Sequence, residues 1–210
     1  MEKARAKDFA LIEWGCATQA LPGETVSGDL HLVKPFRNGI LVAVVDGVGH
    51  GAEATAAAKT AVATLAEYPM ESVIWLVRRC HDFLARSRGV VMTLASFHAI
   101  EGTLTWLGVG NVSGILLRAD TKAVPASEQV LLRGGLVGFQ LPPLYAGVVP
   151  VFKNDLLILA SDGVRSEFIE NCIPSKEPAQ AMADRILLRA HKGNDDALVL
   201  VARYRGPRHE

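Results

Sequence analysis

The chain has 210 residues and a mass of 22.5 kDa, with 22 Lys and Arg against 22 Asp and Glu, so its formal net charge is zero. Half of the residues are hydrophobic (50%) and 21% are charged, which excludes intrinsic disorder and predicts a sizeable core in a single domain spanning residues 1–210. A neutral chain has no bulk field for gathering nucleic acid or anionic lipid, so an anionic substrate must be held by a local site.

The amino terminus from Met1 to Asp8 is charged, and Glu13 interrupts the apolar text after it before a signal-peptide core could form. No apolar run approaches the ~20 residues of a membrane span. Cys16, Cys80 and Cys172 form neither a Cys-x-x-Cys pair nor an even disulfide set, which fits a reducing compartment. These features predict a cytoplasmic protein. Strand-like text begins by about residue 8, and no repeat or linker divides the chain, so the whole of it reads as one working unit with no sensor domain attached.

Apolar runs bounded by turn residues predict strands over residues 9–16, 30–33, 40–45, 90–100, 103–109, 114–118, 129–132, 148–152, 156–160 and 197–204. Three segments read as helices, 52–67, 70–86 and 179–190, the first with Ala54, Ala57, Ala58, Ala61, Val62 and Leu65 on one stripe. Many strands with few helices favour α+β layers over regular βαβ alternation. Between the second and third runs, Pro35-Phe36-Arg37-Asn38-Gly39 reads as a hairpin loop. Pairing Pro35 with Ile40 carries the ladder back through Val33 opposite Val42 to Asp29 opposite Asp46, so two carboxylates meet at one end.

Acids recur at strand tips. The run 40–45 ends in Asp46-Gly47, the run 156–160 ends in Ser161-Asp162-Gly163, and Asp195-Asp196 immediately precedes the run 197–204. Asp46 and Asp162 close their strands whereas Asp29 and Asp195 open theirs, so an antiparallel sheet can gather all four at one edge. Such a cluster stays ionised only beside a cation. Carboxylate oxygens without His or Cys neighbours select hard divalent ions such as Mg²⁺ or Mn²⁺.

Val44-Val45-Asp46-Gly47-Val48-Gly49-His50-Gly51, the preceding Ser27-Gly28-Asp29, Ala160-Ser161-Asp162-Gly163 and Gly193-Asn194-Asp195-Asp196-Ala197 resemble, in order, the motifs of the PPM-type metal-dependent protein serine/threonine phosphatases. The resemblance is to their bacterial SpoIIE-like branch, and within it to the stand-alone phosphatases that reset the stressosome. It implies a four-layer α-β-β-α sandwich, with two antiparallel β-sheets flanked by helices and two Mn²⁺ or Mg²⁺ ions at one end. By motif match Asp46 bridges the ions, the Gly47 carbonyl binds one of them, Asp162 and Asp195 bind the other, and Asp29 orients the attacking water. The implied activity is hydrolysis of phosphoserine or phosphothreonine on STAS-domain stressosome proteins of the RsbS and RsbR types. A phosphorylated anti-sigma-factor antagonist is the alternative substrate.

The chain departs from the wider family in three places. Glu24 occupies the region where many relatives carry a phosphate-binding Arg, Val48 replaces a His, and Asn111 replaces an Asp. His50 and Arg165 are candidates for proton donation or substrate contact. Two readings of a different class compete. Gly47-x-Gly49-x-x-Ala52 formally matches a dinucleotide-binding fingerprint, which suggests an NAD(P)-binding oxidoreductase; a catalytically inactive binding module is the other. Trp14, Trp75 and Trp106 read as core or partly buried packing. Arg78-Arg79 and Arg86-Ser87-Arg88 read as solvated surface, with contact to an acidic partner as the alternative.

Overall fold

The computed structural model describes residues 8–9, 11–168 and 176–207, so the charged residues 1–7 and Cys172 lie outside the described residues. In chain order the elements are β1 (Asp8–Phe9), β2 (Ile12–Gln19), β3 (Asp29–Phe36), β4 (Gly39–Gly47), α1 (Gly51–Glu67), α2 (Val73–Leu84), β5 (Val90–His98), β6 (Thr103–Val109), β7 (Ser113–Leu117), β8 (Ser127–Gln129), β9 (Leu132–Arg133), β10 (Gly147–Pro150), β11 (Leu156–Ala160), α3 (Ala179–Ala190) and β12 (Ala197–Tyr204).

Two sheets result, one in the order β1-β2-β12-β11-β7-β8 and the other β10-β6-β5-β4-β3, with β9 added in parallel to β6. Apolar residues fill three layers. Between the sheets lie Trp14, Val42, Val44, Phe97, Trp106, Leu157 and Leu200. The outer face of the second sheet meets α1 and α2 through Leu41, Val45, Ala58, Leu65, Leu76 and Cys80. The outer face of the first meets α3 through Ile158, Val199, Met182 and Ile186. The central strands β4, β11 and β12 are therefore apolar on both faces, which explains why they read as continuous hydrophobic runs. This is the four-layer α-β-β-α sandwich expected from the sequence.

The β3–β4 hairpin has the expected register, Pro35 opposite Ile40, Val33 opposite Val42 and Asp29 opposite Asp46. Its two-residue turn places Asn38 at a φ of 63°, a conformation that Asn tolerates better than most residues. The predicted helix 70–86 is shorter at both ends. It begins after Ser72, whose hydroxyl accepts a hydrogen bond from the Trp75 amide at 3.2 Å, and it stops at Leu84. The run 129–132 is split between sheets: β8 belongs to one and β9 to the other, with Val130 buried in the core between them. The first run is displaced to Ile12–Gln19 because β2 pairs along the whole of β12, from Ile12 opposite Tyr204 to Gln19 opposite Ala197.

β4 and β5, the strands joined through α1 and α2, are antiparallel neighbours. A dinucleotide fold needs a parallel crossover at this point, so the Gly47-x-Gly49 text is not a nucleotide-binding turn. Cys16 and Cys80 are free and buried, and burial first of all pushes both thiols up to about 12. Among the described residues no helix is long and apolar enough to cross a membrane.

Candidate metal centre between the sheet ends

The second sheet contributes Asp29 and Asp46. Antiparallel pairing sets them side by side at the open end of the β3–β4 hairpin. α1 presses on this end so closely that a Cβ at Gly47 would lie 2.2 Å from the Ala54 carbonyl oxygen. The Gly47 amide in turn donates to the Gly28 carbonyl at 3.2 Å. Gly49 and Gly51, at φ values of 87° and 77°, let the chain reverse from β4 into α1 within four residues of Asp46.

The first sheet contributes Asp162, Asp195 and Asp196. β11 and β12 are antiparallel, so the residues after Ala160 lie beside the residues before Ala197. Ser161 clasps the two strands: its amide donates to the Leu198 carbonyl at 3.0 Å, and its hydroxyl accepts from the Leu198 amide at 2.8 Å. Gly163 is packed against β12 so tightly that a Cβ there would lie 1.9 Å from the Asp196 carbonyl oxygen.

The two adjacent aspartates have different duties. Asp196 is buried, and its carboxylate accepts from the Leu21 amide at 2.8 Å and the Gly28 amide at 2.7 Å, pinning the β2–β3 connection that leads into Asp29. Among the described residues Asp195 accepts only from the following amide, at 2.9 Å, and it is half-buried. The sequence pairs these residues as text; the hydrogen bonds separate a strap from a candidate ligand.

The negative charges of these acids bear on one another's carboxyls. The Asp46 carboxyl is pushed up to about 8, first by burial and then by the negative charges of Asp29, Asp162, Asp195 and Asp196. Asp29 is pushed up to about 7 by burial, opposed by a hydrogen bond from Ser161 and reinforced by Asp196, Asp162 and Asp195. Asp162 is raised by burial and Asp195, while Lys192 and a hydrogen bond from Asn111 pull it back. The Asn111 amide nitrogen stands 2.7 Å from the Asp162 carboxylate, so the residue replacing an acid in the motif acts as a donor to its neighbour. Asn111, Asp162, Arg165 and Lys192 share a cleft of about 280 Å³.

His50 and Arg165 are engaged elsewhere. His50 is exposed, and its Nδ1 lies 3.0 Å from Glu24 Oε1, so the candidate histidine pairs with the acid that stands where many relatives carry an Arg. The Arg165 guanidinium donates to the carbonyls of Arg189 and His191 at the end of α3, where the helix presents unpaired carbonyls and a partial negative charge.

The residues fit divalent cations. Asp29 Oδ2 is buried without a hydrogen-bond partner, so an inward-facing acceptor is left for a ligand. The donors are carboxylate and carbonyl oxygens, which suit Mg²⁺ or Mn²⁺. Among the described residues no three His, Cys, Asp or Glu side chains form one compact cage.

Comparison with known proteins finds relatives of the same family and fold. The family model described as Stage II sporulation protein E (SpoIIE) matches residues 37–205. Phosphoserine phosphatase RsbX of Bacillus subtilis (strain 168) is 31% identical over 97 residues, which cover 45% of this chain and 47% of RsbX; the match thus spans about half the length of that relative. A solved chain from work on the bacterial stressosome, a modular system adapted to control secondary messenger signalling, is 28% identical with a TM-score of 0.82 over 91% of this chain and 99% of its own. RsbX in complex with magnesium has the same fold, with 19% identity and a TM-score of 0.83 over 94% and 98% of the two chains.

Proposed function

Because this chain belongs to the SpoIIE family, whose model covers residues 37–205, we propose that it is a metal-dependent phosphatase that hydrolyses phosphoserine or phosphothreonine on a protein. The observation that carries this reading is the convergence of Asp29 and Asp46 from one sheet with Asp162 and Asp195 from the other. An inactive binding module would have to hold these mutually repelling carboxylates at a sheet edge with no compensating use for them.

Asp46, the Gly47 carbonyl, Asp162 and Asp195 would hold two divalent cations, Mn²⁺ or Mg²⁺. Bound divalent ions lower the pKa of water toward neutrality and offset charge on phosphoryl oxygens. Asp29, with Oδ2 buried and unpartnered, would accept a hydrogen bond from the attacking water and orient it. Ser161 fixes that carboxyl through its own hydrogen bond, and Asn111 holds the Asp162 carboxylate from the side. Lys192, which lines the cleft beside Asp162, supplies positive charge on the approach of the phosphoryl group.

The likeness to RsbX and to a stressosome chain supports phosphorylated STAS-domain proteins of the stressosome, of the RsbS and RsbR types, as substrates, acted on in the cytoplasm. The test is phosphate release from a phosphorylated STAS protein and from a phosphorylated anti-sigma-factor antagonist, with Mn²⁺ and with EDTA. Faster release from the STAS stressosome protein that stops in EDTA is expected; release unaffected by chelation overturns the metal-dependent reading, and preference for the antagonist overturns the substrate.

A further inference from the structure

α2 buries one stripe, Val73, Leu76, Val77, Cys80 and Leu84, against the second sheet. Its outward stripe carries Trp75, Arg79 and Phe83, spaced four apart and therefore stacked along one face. Trp75 is 37% exposed and Phe83 53%. The Arg79 guanidinium carbon lies 4.6 Å from the centroid of Phe83, 5.8 Å from Tyr68 and 5.9 Å from Trp75. Three rings thus exclude water from its flanks, and Nε is buried with no acceptor among the described residues. An unsatisfied buried donor on a cation is costly and attracts a carboxylate.

Along α2 and the turn after it the charge is one-sided, with Glu67 and Glu71 on the approach to the helix. From Trp75 to Arg88 the chain carries four arginines and a single acid, Asp82, although the whole chain is neutral. Among the described residues Arg78, Arg79 and Arg86 form no ion pair; Arg88 pairs with Glu53. Beyond the end of α2 the basic strip continues into a cleft of about 400 Å³ lined by Glu53, Thr60, Arg86, Ser87 and Arg88. At one side of that cleft Arg88 and the following Gly89 lie against Val48 and Gly49, in the turn that follows Asp46. Val48 donates to the Gly89 carbonyl at 3.2 Å, and Arg88 Nη1 lies 2.8 Å from where a Cβ on Gly49 would stand.

We propose that the outer face of α2 and the arginine cleft beyond it dock an acidic segment of the protein substrate, so that a phosphorylated residue further along that segment reaches the carboxylate cluster. The proposal rests on the phosphatase reading for the word substrate, but not for the surface. Unpaired arginines select carboxylates, and the exposed rings cover the apolar parts of the segment that carries them.

The test uses the full chain in EDTA and a short fluorescein-labelled peptide rich in Asp and Glu, without phosphate, beside its Asn and Gln counterpart. Anisotropy is expected to show binding of the acidic peptide alone, weakened by salt, and about ten-fold weaker in Arg79→Gln and in Arg86→Gln. Arg86 is exposed and lies beyond the end of α2, so its variant does not depend on refolding of the helix. In a second assay, KM for a phosphoserine peptide with an acidic flank rises by a similar factor while hydrolysis of p-nitrophenyl phosphate is unchanged. Equal binding of the two labelled peptides, unchanged binding in both variants, or arginine-dependent binding of phosphatidylserine vesicles or of a second copy in place of the peptide overturns the docking surface. A wild type that binds the acidic peptide but hydrolyses no phosphoester in Mn²⁺ overturns the phosphatase reading and leaves the surface standing.

Discussion

Asp29 and Asp46 are register partners on adjacent antiparallel strands, and burial together with neighbouring negative charge pushes their carboxyls up to about 7 and about 8. Like-charged side chains directly opposite each other destabilise a sheet. Their juxtaposition at the end of an otherwise apolar hairpin is therefore a stability cost that a bound cation can reverse.

The sign of that cost gives a pH prediction. Both carboxyls have folded-state pKa values above their unfolded ones, so between about pH 4 and 8 the native state binds more protons than the unfolded chain, and stability falls as pH rises. The partly buried His31 imidazole, lowered by desolvation, acts oppositely but only below about pH 6.5. Thermal melting in EDTA is expected to show a lower Tm at pH 8 than at pH 6.5, with a smaller fall in Asp46→Asn. Excess Mn²⁺ removes the fall in the wild type.

Asp46→Asn and Asp162→Asn keep the shape of the side chain and remove one charge from the cluster. Phosphate release from a phosphoserine peptide is expected to drop by about a thousand-fold or more, the scale of losing a principal charge-stabilising group, with Mn²⁺ affinity falling in calorimetry. Melting in EDTA is expected to rise for Asp46→Asn, because repulsion is relieved. Wild-type activity in either variant would refute their assignment as ligands.

Asp195→Asn and Asp196→Asn separate the two neighbouring acids. Asp196→Asn turns an amide toward the Leu21 or Gly28 N–H groups that the carboxylate now accepts from, which is expected to cost about 2–3 kcal/mol of stability. Asp195→Asn is expected to leave the Tm in EDTA nearly unchanged and to reduce Mn²⁺-dependent activity. Denaturant titration beside turnover distinguishes the two; equal loss of stability in both would contradict the division of duties.

Gly47→Ala places a methyl group 2.2 Å from the Ala54 carbonyl oxygen, a backbone atom that cannot swing aside. α1 must then move away from the end of β4, at a cost of about 1–3 kcal/mol or more. The Gly47 carbonyl moves with it, so Mn²⁺ affinity is expected to fall together with stability. A variant with unaltered melting and unaltered Mn²⁺ binding would show that the close approach of α1 does not set this carbonyl.

Much of this was legible in one dimension because it depends on local pattern. Asn38-Gly39 sets the hairpin turn, and a period of two then carries Asp29 to Asp46 without further information. The acids at the tips of β4, β11 and β12 are visible as polar residues ending continuous apolar runs, and their order carries the family. The α1 stripe likewise shows its small residues, which suit the close packing found there.

Other features depend on which strands become neighbours, and no local pattern contains that. The crossing between β8 and β9 is invisible because Val130 simply continues an apolar run while its flanks join different sheets. Asp195 and Asp196 are identical as residues; their roles divide only because the β2–β3 connection folds back to offer two amides to one of them. Arg165 and His50 lie near the motifs in sequence, yet the end of α3 and Glu24 take them as partners. Asn111 becomes part of the site only when the start of β7 is laid against the end of β11. Turn chemistry and hydrophobic period were enough to set most of the elements, the hairpin register and the supply of acids. The tertiary structure decided which acids face a common space and which hold the scaffold, because hydrogen-bond partners and burial are settled by sheet order.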